Sequence, residues 1–351
     1  MREIRYKTFS LRTHQKNWQL NRPNLCQFEI TFRCGFHCRH CYTDCYNKPV
    51  YFKKELNTRE VIYILDKVQQ AGVIWLCFTG GDPLVRKDFL KIYSYAKKKG
   101  FLITLFTNGY SLNKRILEFL KAHPPFVVEI TLNAVTKELF ERITQRKGSF
   151  VKVMESIRCL LKEKIPLKIK TQVTKDNIEE LPRIKRFVKD LGLPFLPSFI
   201  LYPGLNGNRA PCKLRVSKEE IFSLDQEKIK EDSPCGEKIS GKEKSETSRT
   251  LFPCTIDSKD GFYLDPYGNV SPCYLIRQLR LNLLQVSVEE VLKKILSWVS
   301  KQQSLDSLCR SCNLRQFCAW CPGKSYLEYG NLTTPIPYYC ELAKLAKDKY
   351  A

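Results

Sequence analysis

Cys34, Cys38 and Cys41 form a C-x3-C-x2-C loop. Thiolates this close can wrap one compact metal centre, while disulfides between them would close strained loops. Tetrahedral zinc would need a fourth ligand, and Cys45, His37 and His40 stand nearby. A 4Fe–4S cubane held by three cysteines leaves one iron open, and an open iron can bind substrate. A second group lies far downstream. Cys254 is followed by thirteen residues, Gly268, four residues and Cys273; then come Cys309-x2-Cys312-x5-Cys318-x2-Cys321 and Cys340. Each C-x2-C pair can bring two thiolates to one centre from a tight turn. A zinc ribbon of Cys309, Cys312, Cys318 and Cys321 is the simpler reading of that group, an iron–sulfur module the other.

The rest of the composition favours metal over disulfides. Sixteen cysteines stand against four histidines, which disfavours a histidine-rich zinc or iron enzyme. Residues 1–24 are polar and basic with no apolar h-region, so no secretory signal is expected. No run of eighteen apolar residues occurs, so no membrane span is expected. The expected location is the cytoplasm, a reducing compartment where structural disulfides are disfavoured. Apolar residues at 43% and charged residues at 27% fit a globular chain of 351 residues, long enough for two domains. The net charge of +23 is spread along the chain, which suits a solvated surface more than a dedicated nucleic-acid tail. It also suits steering of an acidic partner.

Elements to position these residues follow from periodicity. Strands are expected at Leu25–Arg33, Val73–Thr79, Phe101–Phe106, Phe126–Leu132, Leu167–Val173 and Phe195–Leu201. Helices are expected at Thr58–Ala71, Lys87–Lys99, Leu112–Lys121, Phe150–Lys164 and Ile178–Leu191. The alternation implies an α/β fold with parallel strands, because parallel neighbours need crossovers. Six units are too few for a closed eight-fold barrel, so a partial (β/α)6 barrel is expected, with a doubly wound sheet as the alternative. Residues 203–250, rich in Gly, Pro and charge, read as a linker with one short helix near Ser217–Leu224. Residues 251–351 read as a small, cysteine-rich, metal-cluster-stabilised carboxy-terminal domain.

Polar motifs fall at successive strand ends. The cysteine loop follows the first strand, Thr79-Gly80-Gly81-Asp82-Pro83 the second and Thr107-Asn108-Gly109 the third. Thr131-Leu132-Asn133 ends the fourth, and Lys170-Thr171-Gln172-Val173 ends the fifth. Carboxyl ends of parallel strands are where such folds build active sites. Glycines there permit close backbone approach to a ligand.

With the C-x3-C-x2-C loop after the first strand and GGDP after the second, residues 25–202 resemble the radical S-adenosylmethionine (SAM) superfamily. The resemblance implies that Cys34, Cys38 and Cys41 bind a 4Fe–4S cluster whose open iron is chelated by SAM. It places His40 near the adenine, Gly80, Gly81 and Asp82 at the methionine part, with Asp in place of the commoner Glu, and Thr131 and Asn133 at the ribose. Asn108 belongs to the same cofactor-binding set. The downstream cysteines resemble the SPASM extension of that superfamily, which carries auxiliary iron–sulfur clusters. Two residues, Ala319 and Trp320, separate Cys318 from Cys321 where that pattern usually has three. By its interleaved ligation, Cys254, Cys273 and Cys321 would hold one cluster, with Cys235, Cys212, another group or substrate as fourth ligand. Cys309, Cys312, Cys318 and Cys340 would hold the other.

The resemblance implies reductive cleavage of SAM to a 5′-deoxyadenosyl radical that abstracts hydrogen, most often from a peptide or protein. It implies an electron donor such as a ferredoxin or flavodoxin. With 24 residues before the first strand, a leader-binding wing is not expected, so a separate leader-binding protein is a further possible partner. The rivals are modification of a small molecule or metal cofactor in a pterin or haem pathway, and a zinc-stabilised RNA-binding module. An RNA methylase would need methyl-carrying cysteines that the sequence does not match. No general base stands out; Asp44, Glu129 and Tyr202 are candidates only by lying near strand ends. Cys26, Cys77 and Cys159 are expected to be buried small hydrophobes. Cys45 is a candidate redox thiol, and His14 and His123 are expected to be surface residues without partners.

Overall fold

Six apolar segments become six parallel strands: β1 (Leu25–Thr31), β2 (Trp75–Gly80), β3 (Leu102–Thr107), β4 (Val127–Thr131), β5 (Leu167–Gln172) and β6 (Phe195–Ser198). The computed structural model describes residues 5–223, 251–252, 261–279 and 281–350. The strands lie in the order β6-β5-β4-β3-β2-β1. A doubly wound sheet reverses direction at a switch point. This order has no reversal, so right-handed crossovers put every helix on one face.

Side-chain alternation shows that face. Phe28, Ile30, Leu76, Phe78, Ile103, Leu105, Val128, Ile130 and Ile169 share one core with the helices. The alternate positions, at period two, carry Glu29, Cys77, Thr104, Phe106, Glu129 and Lys170. One face is thus apolar against helices and the other is a polar lumen, the arrangement of a partial barrel.

The crossover helices are α3 (Thr58–Gln70), α4 (Phe89–Lys98), α5 (Lys114–Ala122), α7 (Ser149–Lys162) and α8 (Leu181–Asp190). A capping box sets the start of α3: Asn57 accepts from Glu60 N, and Glu60 returns a bond to Asn57 N. Among the described residues before β6, three helices have no counterpart in the periodicity reading, and neither have the carboxy-terminal helices given below. One-turn α2 (Pro49–Phe52) follows the cysteine loop, and α6 (Lys137–Thr144) adds a second helix between β4 and β5.

The third is α1 (Tyr6–Gln19), built from the basic amino-terminal segment. It packs on the amino-terminal ends of the strands. Trp75 Nε1 donates to Tyr6 Oη at 3.0 Å, and the Tyr6 ring lies 4.8 Å from Phe126. His14, expected to lack partners, stacks 4.6 Å from the Trp75 ring and bonds the Ser10 carbonyl at 2.8 Å. Asn17 is the one buried residue of this helix, so it has no apolar stripe and this packing was not legible beforehand. His123 is exposed, with its ring 4.9 Å from Phe119.

Beyond the short helix α9 (Lys218–Ser223), the carboxy-terminal segment extends the same sheet. Strand β7 (Gly261–Leu264) pairs parallel with β1, and β8 (Asn269–Ser271) and β9 (Leu281–Asn282) add antiparallel. Gly268, of the cysteine-spaced motif, sits in the β7–β8 turn at φ +84°, a conformation that favours glycine. Helix α10 (Val288–Gln302) gives Val288, Val291 and Ile295 to the barrel core. A separate small core of Leu251, Phe252, Ile276, Val299 and Leu332 lies beside Cys273 and Trp320. Helices α11 (Pro322–Tyr329) and α12 (Pro337–Tyr350) complete the chain.

Candidate metal and cofactor site

The cysteine loop leaves β1 and is fastened on three sides. Asn47 Nδ2 donates to the Cys34 and Phe36 carbonyls at 3.1 and 3.3 Å, while its Oδ1 accepts from Cys34 N at 3.1 Å. His37 N and Arg39 N donate to the Thr144 and Ile143 carbonyls at 3.0 and 3.2 Å, docking the loop on the end of α6. Leu205 N reaches the Tyr42 carbonyl at 2.8 Å from the segment after β6. Asn47 carries no spacing signal, so nothing in the sequence marks its role.

The three thiols face one another. Burial, then the neighbouring Cys41 and Cys34, holds the Cys38 thiol well above its usual range. Burial and Asp82 push Cys34 up to about 12, with Cys41 adding to the rise. Burial likewise raises Cys41. Thiols raised in this way must lose their protons to bind a metal, which links affinity to pH. The sulfurs also sit among donors: Phe36 N lies 3.4 Å and Asn108 Nδ2 3.3 Å from Cys34 Sγ, and Thr43 Oγ1 lies 3.3 Å from Cys41 Sγ. Such bonds offset thiolate charge and tune iron–sulfur centres. Among the described residues, no three His, Cys, Asp or Glu side chains converge as a single-ion site. His37, a possible fourth zinc ligand, instead pairs with Asp44 at 2.9 Å, and Cys45 Sγ points to the Tyr42 carbonyl.

The GGDP segment has a distinct structural reason. Gly81 N and Asp82 N donate to the Thr31 and Arg33 carbonyls, both at 2.8 Å, lashing it to the backbone just before Cys34. A methyl on Gly80, at φ +129°, would overlap the Thr31 carbonyl oxygen; one on Gly81 would meet Phe32 O at 2.6 Å. Both glycines thus admit the neighbouring strand, where the sequence suggested approach to a ligand. Asp82 is fully buried. It accepts from Leu84 N at 2.9 Å, Thr107 Oγ1 at 2.9 Å and Asn108 N at 3.3 Å. Burial raises it to about 6 in spite of these bonds.

Asn108 touches Cys34, as above. Thr131 ends β4 half-buried, and Asn133 is buried with Oδ1 accepting from Gln172 N at 2.9 Å. His40 is half-buried, and desolvation lowers it to about 4 against the pull of Asp176. In the lumen, Glu129 pairs with Lys170 at 2.5 Å, and Lys170 Nζ lies 3.3 Å from the Phe106 ring centroid.

The downstream cysteines divide into two places. Burial raises Cys309 to about 12, and Cys340, Cys318 and Cys312 each add to the rise. Cys340 and Cys312 likewise raise Cys318. These four thiols therefore form one neighbourhood. Cys321 and Cys273 share a different neighbour, Tyr202. Both act on this half-buried tyrosine, whose hydroxyl is raised to about 12, first of all by desolvation. Cys254 and Cys235 lie outside the described residues. Cys212 lies among Arg215, Glu328 and Arg209. Leu275 N and Trp320 N each approach a sulfur, Cys273 and Cys318, at 3.4 Å.

An aromatic wall joins the two regions. The Tyr42 ring lies 6.0 Å from Tyr202 and 5.9 Å from Tyr274, whose hydroxyl donates to Tyr202 Oη at 2.8 Å. Arg277 crosses from the carboxy-terminal segment to bond both Glu29 oxygens, at 2.9 and 2.7 Å. Tyr202 was a candidate base by position; here its hydroxyl is committed to Tyr274.

Residues 28–188 match the model of the Radical SAM superfamily. They form a radical SAM domain. The chain is a radical SAM enzyme, and a 4Fe–4S cluster and SAM are its characteristic cofactors. It is similar to an AdoMet-dependent heme synthase of Methanosarcina barkeri, 24% identical over 91% of this chain and 96% of that one. It is 27% identical to a PqqA peptide cyclase of Granulibacter bethesdensis over 47% of this chain, spanning 43% of that relative. In fold it resembles Streptococcus suis SuiB bound to precursor peptide SuiA, with a TM-score of 0.72, 15% identity, and coverage of 97% of this chain and 82% of that one. Among the described residues, no helix is long and apolar enough to cross a membrane.

Proposed function

We propose that this radical SAM enzyme carries two auxiliary iron–sulfur clusters and oxidises an unactivated C–H bond of a peptide or protein. The observation that carries the reading is the gathering of thiols into three separate places. Cys34, Cys38 and Cys41 would hold the SAM-binding cluster. Cys309, Cys312, Cys318 and Cys340 would hold one auxiliary cluster, and Cys273 and Cys321, with Cys254, the other. Held by Cys34, Cys38 and Cys41, that first cluster would supply, when bound and reduced by an external donor, the electron for reductive cleavage of SAM that precedes hydrogen abstraction.

The chain's own residues do the positioning. His40 would meet the adenine. Asn108, which bonds Cys34, would serve the cofactor site, and Thr131 and Asn133 would meet the ribose. Gly80, Gly81 and Asp82 shape the loop, leaving backbone atoms for the methionine part. The tyrosine wall excludes water and fixes substrate, the main lever a protein has over a radical. The domains follow as 25–202 for the barrel, 203–250 for a linker and 251–351 for the auxiliary module, in a cytoplasmic protein served by a ferredoxin- or flavodoxin-type donor. A separate leader-binding protein would deliver the peptide.

Peptide enzymes recur among the relatives: the cyclase above and a subtilosin biosynthesis protein of Bacillus subtilis. A second reading, oxidation of an acidic tetrapyrrole side chain, is favoured by the heme synthase likeness, which covers both halves of the chain. Anaerobic reconstitution tests the proposal. About twelve irons per chain, with 5′-deoxyadenosine formed from SAM and dithionite, supports it. About four irons plus zinc would reduce the carboxy-terminal module to structure. Iron-coproporphyrin consumed in place of any peptide would overturn the peptide assignment.

A further inference from the structure

Electrons must reach the Cys34–Cys38–Cys41 centre from outside, and one exposed basic face stands directly behind its loop. Arg142 lies in the last turn of α6, Arg146 and Lys147 in the turn that follows, and Val151 and Lys152 in the first turn of α7. All are exposed, Val151 by 59%. The turn has a fixed shape: Gln145 and Gly148 stand at φ 54° and 73°, and Arg146 N bonds the Glu141 carbonyl at 3.3 Å. Lys99 and Lys121 elsewhere on the surface pair with Asp66 and Glu163. Among the described residues, Arg142, Arg146, Lys147 and Lys152 have no carboxylate within ion-pair distance.

A single aromatic ring joins this face to the cysteine loop. Arg146 Nε donates to Tyr110 Oη at 3.3 Å, and Lys152 Nζ stands 4.7 Å from the Tyr110 ring centroid. That ring lies 5.3 Å from the Phe36 ring, and a Cβ on Gly35 would meet it at 3.1 Å. Gly35 and Phe36 lie between Cys34 and Cys38, and Phe36 N approaches Cys34 Sγ at 3.4 Å. His37 N and Arg39 N bond the Thr144 and Ile143 carbonyls, so the same loop rests on the end of α6.

We propose that the face made by Arg142, Arg146, Lys147, Val151 and Lys152 is where an acidic one-electron carrier protein of flavodoxin type docks to reduce the SAM-binding cluster. The proposal rests on the cluster at Cys34, Cys38 and Cys41 and names the place of its donor. The carrier loses one electron and the cluster gains it; no bond forms or breaks. Unpaired cations on a rigid turn select an acidic partner and speed its encounter. The exposed Val151 side chain gives a protein surface something apolar to cover. Electron transfer falls steeply with distance, and contact here leaves only Tyr110 and Phe36 between the carrier and a ligand cysteine.

The test uses the reconstituted full chain with a flavodoxin reduced by NADPH and its reductase. One variant combines Arg146→Glu, Lys147→Glu and Lys152→Glu. A control combines Lys7→Glu, Arg12→Glu and Lys16→Glu on α1, at the opposite strand ends, with the same change in net charge. In the first variant the kcat/KM for flavodoxin in 5′-deoxyadenosine formation should fall at least about tenfold, and the Kd for flavodoxin by calorimetry should weaken by a similar factor. Its iron content and its dithionite-driven SAM cleavage should stay within about twofold of wild type, and added salt should bring wild type down toward it. The control should behave as wild type with flavodoxin. Normal flavodoxin binding by the first variant, or an equal loss in the control, would overturn the proposal. So would a variant whose only loss is affinity for transfer RNA, which would give the face to nucleic acid. If the first variant loses dithionite-driven cleavage as well, Arg146→Gln with Lys152→Gln decides: a weaker Kd for flavodoxin supports the proposal and an unchanged one overturns it. A wild type that cleaves no SAM with dithionite would instead sink the cluster reading itself, and the docking face with it.

Discussion

Arg277→Met breaks the tie between the auxiliary segment and the barrel, and its cost follows from the geometry. The guanidinium bonds both oxygens of Glu29, with side chains only 17% and 6% exposed. Removing one partner of a buried pair typically costs about 3–5 kcal/mol, because the other charge is left uncompensated. Arg277 retains some water contact, which places the expected loss near the low end, about 3 kcal/mol. Packing of the stem alone would account for only about 1 kcal/mol. For a chain of this size about 3 kcal/mol is a fall of roughly 6 °C in Tm.

The pH dependence separates the two causes. Burial, partly opposed by Arg277, holds the Glu29 carboxyl above its ordinary value of 4.5. The folded state therefore binds that proton more tightly than the unfolded chain, and the penalty for ionising it grows as pH rises through the folded value. Without Arg277 the carboxyl moves further up. The deficit of the variant should accordingly be full above both folded values and shrink as pH falls through them toward the ordinary carboxylate range. Urea unfolding at equal iron content, across that range, measures it. Glu29→Gln combined with Arg277→Met should recover most of the loss, giving a coupling above about 1.5 kcal/mol. A deficit under about 1 kcal/mol, one independent of pH, or a double variant as poor as the sum of the singles would refute the reasoning.

Three further outcomes are expected. Cys34→Ala should lower bound iron by about four per chain and abolish 5′-deoxyadenosine formation while sparing the auxiliary centres, read by iron counting and chromatography. Gly81→Ala should cost at least about 2 kcal/mol, since its methyl meets the Phe32 and Arg33 carbonyls; normal Tm and normal SAM cleavage would contradict the lashing of β2 to β1. Deleting residues 1–20 should uncover the Trp75 ring and lower Tm by several degrees, yet leave iron binding intact, because α1 sits at the strand ends opposite the cysteine loop.

All six barrel strands were legible because each is a short apolar run bounded by breakers, and their sequential pairing follows from the crossovers between them. Cys34, Cys38 and Cys41 were legible because a short loop keeps close residues close, whatever surrounds it. The packing of α1 on Trp75 was not legible: its apolar contacts are few and its partners lie far along the chain. Asn47 left no trace either, since it acts on backbone groups that the fold, not the local sequence, brings to it.

By itself the sequence determined the parallel α/β architecture, the thiol loop after β1 and the run of polar motifs at strand ends, because these are local properties of period and spacing. The spacing alone left the sorting of the distant cysteines to a family resemblance; their electrostatic neighbours come from the tertiary structure. Cys318 and Cys321 are three residues apart, yet Cys318 is a neighbour of Cys309, Cys312 and Cys340, while Cys321 shares Tyr202 with Cys273. The tertiary structure likewise decided that Arg277 reaches Glu29 across 248 positions of chain. Such pairings depend on where backbones meet in space, and side-chain type and spacing along one strand or helix carry no record of that.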